Sequence, residues 1–446
     1  MSTPIWDFVS AYSKSGTSRF HMPGHKGIAT KLGVETIDIT EISGADYLFE
    51  AQGIIKESED NASNIFGTAR TLYSTEGSSL SIKTMVALAI MGRKNQTLRG
   101  EIIAPRNVHK AFVNGCALAD ADVIWVFPEK KSRSICTSSF TANEIESAIK
   151  KSKNPCGVYI TSPDYLGNIP NISAISRLCK SYNIPLLVDN AHGAYLKFLE
   201  KHPIDLGADI CCDSAHKTLP VITGGGYLHI SKNASKFFSE NAKQVMSMYA
   251  STSPSFITLQ SLDLCNEILA NDFSSMVGEA CKKVENLKTE IGRLGIETHT
   301  YEPMKLTISP NPFGYTGDEI ADILRNNRVE CEYSDDQNTV LMCSPYNKDE
   351  DFNRTLEALK MLKRKEKKES DQLFCFSDPE NKMSIRESVF SPYESVDVEN
   401  ALKRICGLTV TSCQPSVPIV VSGEVISDES INIFKRYSIF KVNVVK

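Results

Sequence analysis

Two residue runs in this chain carry groups whose types and spacing suit one chemistry. PLLVDNAHGAY (185–195) puts Asp189 directly behind four apolar residues, at the carboxyl end of a predicted strand. Twenty-eight positions later, ADICCDSAHKTLP (208–220) places Lys217 just beyond another apolar run. An acid at one strand end and a lysine past a later one meet the needs of pyridoxal phosphate. The lysine amine forms a Schiff base with the aldehyde, and the carboxylate keeps the pyridine nitrogen protonated so that the ring accepts an electron pair. Either residue alone reads more simply as a surface lysine or a turn-capping aspartate. A third run, YSTEGSSLSIKTMVALAIM (73–91), opens a long helical pattern with Gly77, Ser78 and Ser79. A helix start with hydroxyls is an anion seat suited to the cofactor phosphate, although a serine N-cap is common. Ser214 and His216 flank the lysine and can add phosphate contacts. In APRNVHKAF, His109 follows a predicted strand and can lay its imidazole on the cofactor ring; by itself it is the ordinary satisfied histidine.

The elements that must position these residues alternate regularly from about residue 77. Helices are predicted at 79–91, 108–118, 142–151 and 172–182. Strands are predicted at 101–104, 122–127, 157–161, 185–189, 209–212 and 226–230. Short, almost wholly apolar strands between amphipathic helices argue a mainly parallel sheet buried on both faces. Beyond Pro254 a long helical stretch, 256 to about 294, leads into a smaller α/β region with strands near 305–309 and 339–343 and helices near 318–326 and 348–363. The charge run KRKEKKESD (363–371) marks a linker, and the last seventy residues read as an α+β piece. The expected division is 1–70 (N-terminal arm and start of the large domain, with few periodic segments), 71–255 (large cofactor-binding domain), 256–365 (long helical connection and small α/β domain) and 366–446 (C-terminal α+β domain).

Composition narrows the function. With 446 residues the chain exceeds a single core. Its 49 Lys and Arg against 54 Asp and Glu give a net charge of -5, which argues against nucleic acid as a partner. No apolar run reaches the roughly 18 residues of a membrane span, and the N-terminus has no signal-peptide pattern. The 13 cysteines include no CxxC pair, so reduced buried thiols in a cytoplasmic protein are expected. Eight histidines include His21 and His25 at helical spacing, but Pro23 and Gly24 between them break a helix, and no metal is expected.

Taken together, FHMPGHKG (20–27), DITEISGADYL, FGTARTLYSTEGSS, RNVHKA, SPDYLGN, VDNAHGAY and SAHKTLP resemble the bacterial ornithine/lysine/arginine decarboxylases. These are pyridoxal-phosphate enzymes of the aspartate-aminotransferase fold type. The resemblance runs through STSP (251–254) and continues in ESVDVENALKRICG and VPIVVSGEVI near the C-terminus. It implies an aspartate-aminotransferase-like sheet of the seven-stranded type, in the short form without an N-terminal wing domain. Lys217 then resembles the Schiff-base lysine, Asp189 the pyridine-nitrogen partner, His109 the ring-stacking histidine, and Ser78, Ser79, Ser214 and His216 phosphate ligands. His192 falls where the family places a residue near the cofactor's phenolic oxygen and the substrate. Thr252 and Ser253 resemble the segment reaching a neighbouring subunit's phosphate, which implies a homodimer or higher homo-oligomer with active sites at the subunit interface. Glu332, in VECEYSD, aligns with the acid that holds the substrate's distal cation, with Glu330 a near competitor.

The chain departs from the pattern at Glu76, where the family has Asn, and at CQPSVP (413–418), which replaces the family's Tyr-Pro-Pro-Gly-Ile-Pro stretch. The implied activity is decarboxylation of arginine, lysine or ornithine to a polyamine precursor. Its rivals are an aminotransferase or lyase of the same fold type, for which Arg325, Arg328 and Arg354 are available as carboxylate clamps, and a weakened cofactor-binding paralogue with a regulatory role.

Overall fold

The computed structural model describes residues 1–127, 134–137, 139–299, 301–367, 378–412 and 417–446. Residues 413–416 of CQPSVP and 368–371 of the charge run lie outside these. In chain order, helices α1 (Pro4–Lys14) and α2 (Ile54–Phe66) precede strand β1 (Arg70–Ser74) and helix α3 (Gly77–Met91). Then come β2 (Glu101–Pro105), α4 (Lys110–Ala119), β3 (Asp122–Val126), α5 (Ala142–Lys151), β4 (Pro155–Thr161) and α6 (Ile172–Tyr182). β5 (Leu186–Asp189), β6 (Ile210–Asp213), the one-turn helix α7 (Ala215–Thr218), β7 (Gly226–Ile230) and α8 (Lys236–Ser247) follow. The predicted helical stretch after Pro254 is two helices, α9 (Phe256–Ala270) and α10 (Phe273–Arg293).

The chain forms two compact units, one of residues 1–92 and 185–275, the other of residues 93–184 and 276–446. In the first, the strand order is β1-β7-β6-β5. β5 and β6 run parallel, while β7 is antiparallel to both β6 and β1. All four β5 and all four β6 residues are buried, as the unbroken apolar runs require. In the second, β2 lies between β3 and β4, parallel to both.

The second unit also holds β8 (Glu297–Thr298), β9 (Lys305–Ser309), α11 (Gly317–Asn326), β10 (Tyr333–Ser334), β11 (Thr339–Met342) and α12 (Asp349–Lys360). The sheet β10-β11-β9-β8 is antiparallel throughout. Thr316 and Glu319 cap α11 reciprocally, and its apolar stripe joins Leu306, Ile308, Phe313 and Leu359 in one core. A separate core, built on Val398, Cys406, Ile419, Phe434 and Val444, holds the C-terminal residues together.

Two helices arise where the sequence offered no periodic signal. α1 has no capping side chain of its own; Asp263 of α9 accepts the N–H groups of Ile5 (2.9 Å) and Trp6 (3.0 Å) instead. α2 begins after Gly53, and Asp46 accepts from Gly53 (2.8 Å) and Ile55 (3.1 Å). Both caps come from residues distant in sequence, so the local signature of a helix start is missing. Burial of the thiols agrees with expectation: eight of the 11 described cysteines are buried.

Candidate active site

β5 and β6 end side by side, with Asp189 opposite Cys212. Carboxyl ends of parallel strands are where open α/β sheets bind ligands. Asp189 is 2% exposed; its Oδ1 accepts from the Ala191 N–H (3.1 Å) and the Cys212 thiol (3.6 Å). After β6, Ser214 leads into α7, which carries Lys217. The lysine Nζ stands 3.0 Å from His192 Nε2, so a proton has a direct path between the amine and the imidazole. His192 is itself buried.

The anion seat forms beside them. Ser214 Oγ donates to Ser78 Oγ at 2.8 Å, which brings the lysine loop against the first turn of α3. Gly77 opens that helix at φ 64°, in the left-handed region that suits glycine, and its N–H reaches Gly224 O at 2.6 Å. Ser79 follows in the same turn, half-buried. A Cβ added at Gly226 would lie 2.9 Å from Gly77 C and 3.0 Å from Asp213 O, so only glycine lets these three segments close. His216 donates from Nδ1 to Gly225 O (2.8 Å). A helix start, two hydroxyls, a buried carboxylate and an amine thus meet in one unit, and this donor set fits pyridoxal phosphate.

Glu76, the departure from the family pattern, has a definite partner. Its carboxylate accepts the Ser251 N–H at 2.8 Å, tying the exposed loop of Thr252 and Ser253 to the start of α3.

The remaining two residues belong to the second unit. His109 caps α4, its Nδ1 accepting the Ala111 N–H at 3.1 Å. Glu332 is exposed and accepts the Tyr165 hydroxyl at 2.9 Å. Glu330, its competitor, pairs with Arg325 Nε at 3.0 Å. Arg325 also binds Asp322 and is thereby engaged. A cavity of about 410 Å³ is lined by Leu306, Glu330, Glu332, Cys343, Asp351 and Arg354. Burial, reinforced by the Glu332 carboxylate, pushes the Tyr165 phenol far above its ordinary range, so it stays a donor. Tyr165 lies in SPDYLGN, and sequence reasoning gave it no role; only a fold that brings residue 165 to residue 332 reveals one.

A family model described as "Orn/Lys/Arg decarboxylase, major domain" matches residues 3–300. The arginine decarboxylase of Bacillus subtilis is 28% identical over 465 aligned residues, covering 97% of this chain and 93% of its own. That of Bacillus anthracis is 27% identical, with 97% and 92% covered. The solved constitutive lysine decarboxylase of Escherichia coli superposes with a TM-score of 0.80 at 16% identity, over 100% of this chain and 82% of that one. That likeness bears out the expected α/β fold.

Proposed function

Because the chain belongs to the Orn/Lys/Arg decarboxylase family, it is a pyridoxal-phosphate-dependent decarboxylase of a basic amino acid, and we propose that this amino acid is arginine, converted to agmatine and carbon dioxide. The observation that carries the choice is the likeness, end to end, to relatives named arginine decarboxylase. Another reaction of the same fold type, by an aminotransferase or a different lyase, is not favoured by these relatives. Pyridoxal phosphate, when bound, supplies an aldehyde for the amine and a pyridinium that accepts the electron pair of the broken Cα–carboxylate bond.

The chain's own residues are assigned as follows. Lys217 would hold the cofactor through its amine. Asp189, buried at the end of β5, would face the ring nitrogen and keep its proton in place. The first turn of α3 with Ser78 and Ser79, together with Ser214 and His216, binds the phosphate. His109, by its likeness to the family's ring-stacking histidine, would supply an imidazole to the ring. After carbon dioxide leaves, Lys217 or His192 returns a proton to the substrate carbon, and their 3.0 Å contact lets either recharge the other. Tyr165 orients Glu332, whose carboxylate faces the distal guanidinium; arginine offers it two parallel N–H donors where lysine offers one point charge.

Thr252 and Ser253 are read as reaching a second copy's phosphate, in a homodimer or higher homo-oligomer. Exposed Phe20 (93%), Met22 (59%), Ile28 (71%) and Leu32 (75%) lie on one N-terminal segment and support a covering partner. The expected domain divisions, a cytoplasmic location and a role in polyamine formation belong to the same proposal. No described helix is long and apolar enough to cross a membrane. Mass spectrometry of products from arginine, lysine and ornithine tests the substrate: agmatine is expected. Cadaverine or putrescine alone would reassign the substrate, and keto acids in place of carbon dioxide would overturn the reaction.

A further inference from the structure

Directly beneath this site lies a polar network with no part in the chemistry above. Asp213, the last residue of β6, is fully buried with His202 and His229. Its Oδ2 accepts from His202 Nε2 and His229 Nε2, both at 3.1 Å, and its Oδ1 accepts from Asn190 Nδ2 at 2.7 Å. Asn190 follows Asp189 and also donates its backbone N–H to Cys212 O (2.9 Å). We propose that Asp213 is a positioning residue for Lys217, an anchor that ties the end of β5 to the end of β6 and sets the turn that carries the amine. The proposal rests on the assignment of Lys217 and Asp189 to the cofactor.

Three observations support it. α7 spans four residues, and a single helical turn does not hold itself, so its direction must come from its anchors. Those anchors are Asp213 two residues before it, the Ser214 bond to Ser78 and the His216 bond to Gly225. Second, the protons can be assigned. The Ile204 N–H points at His202 Nδ1 (3.3 Å), so that nitrogen accepts and Nε2 carries the hydrogen. Burial disfavours a charged His229; the Thr71 hydroxyl therefore donates to its Nδ1 (2.9 Å), and Nε2 again carries the hydrogen. Third, burial opposes ionisation of Asp213, while hydrogen bonds from the two histidines favour the carboxylate. A buried carboxylate needs donors on both oxygens, and it has them only while β5, β6 and β7 keep their places.

His202, Cys211 and Asp213 lie close enough together to suggest a metal. The assigned hydrogens speak against it: a metal on His202 Nε2 would require a proton on Nδ1, where the Ile204 N–H already points.

The test uses the full chain. Asp213→Asn forces donor against donor on whichever side its amide nitrogen falls. A paired substitution guards against misfolding: His229→Leu removes one donor, and His229→Gln restores one. The readouts are hydrogen–deuterium exchange of residues 213–219 without cofactor, and the release rate of the lysine-linked cofactor followed by its visible absorbance. His229→Leu is expected to speed both about tenfold, the worth of one bond to a charged group, with His229→Gln within about threefold of the parent. Equal effects of Leu and Gln, or exchange at 213–219 no faster than elsewhere, would overturn the anchor. So would a stoichiometric metal whose removal reproduces His229→Leu. Exchange is read without cofactor, so an error in the assignment of Lys217 appears in the release arm alone.

Discussion

Replacing Arg106 with methionine should destabilise the protein sharply, and a second substitution should undo most of the damage. The Arg106 guanidinium forms a two-pronged pair with Glu424, both contacts at 2.6 Å and both side chains at most 3% exposed. It also lies over the Trp125 ring at 4.8 Å. Glu424 accepts one further bond, from the Val421 N–H at 2.7 Å, which cannot compensate a buried charge alone. Breaking such a pair from one side costs about 3–5 kcal/mol, whereas replacing both partners by apolar residues is often neutral. For a chain of 446 residues, with about 2.1 cal/mol/K of unfolding entropy per residue, that single-site cost lowers the unfolding temperature by about 3–5 °C. Arg106→Met/Glu424→Leu should recover most of it. Circular dichroism melts at low and high salt provide the assay; the loss should persist in 1 M NaCl because burial shields the pair from screening. The loop from Pro105 to His109 starts at this anchor, so the single variant should also hold cofactor more weakly. A loss below about 1 kcal/mol, or a double variant no better than the single, would refute the reasoning.

Other outcomes follow from the same structure. Lys217→Ala should yield a colourless protein with no measurable turnover, read by visible absorbance and carbon dioxide release; full turnover would remove the basis of the mechanism. Glu332→Gln should raise the KM for arginine about ten- to hundredfold, the range of a charge-assisted bond, whereas Glu330→Gln should leave it within about twofold, since Glu330 already serves Arg325. Burial raises the Glu302 carboxyl from an ordinary 4.5 to about 7, with Lys305 opposing in part. Its favourable contribution is therefore complete below about pH 4.5 and lost as pH rises through 7, on the order of 3 kcal/mol. In urea titrations Glu302→Gln should gain on the parent between about pH 5 and 8, and parallel pH profiles would contradict this.

Much of the sheet was legible because its strands are apolar along their whole length, as burial on both faces demands. β7 at 226–230 and α6 at 172–182 match the expected bounds. The placement of Asp189 at a strand end and of Lys217 just past one was legible for the same reason, since each follows a short, wholly apolar run. α1 and α2 escaped notice because their caps, Asp263 and Asp46, lie outside the helix-start windows. Tyr165 was hidden because its partner is 167 positions away. The Asp213 network was hidden differently: CCDSAHK shows an acid beside a lysine turn, but His202 and His229 become its donors only when β7 folds back antiparallel to β6.

The glycine at 226 sets how the anion seat behaves. With peptide groups of α3, β6 and β7 meeting where no side chain fits between them, the seat's shape is fixed by main chain. Main chain neither titrates nor changes rotamer. Acidity should therefore leave the shape of the seat alone, and any side chain introduced at 226 would act as a wedge, opening the seat while leaving the lysine and the aspartate chemically intact.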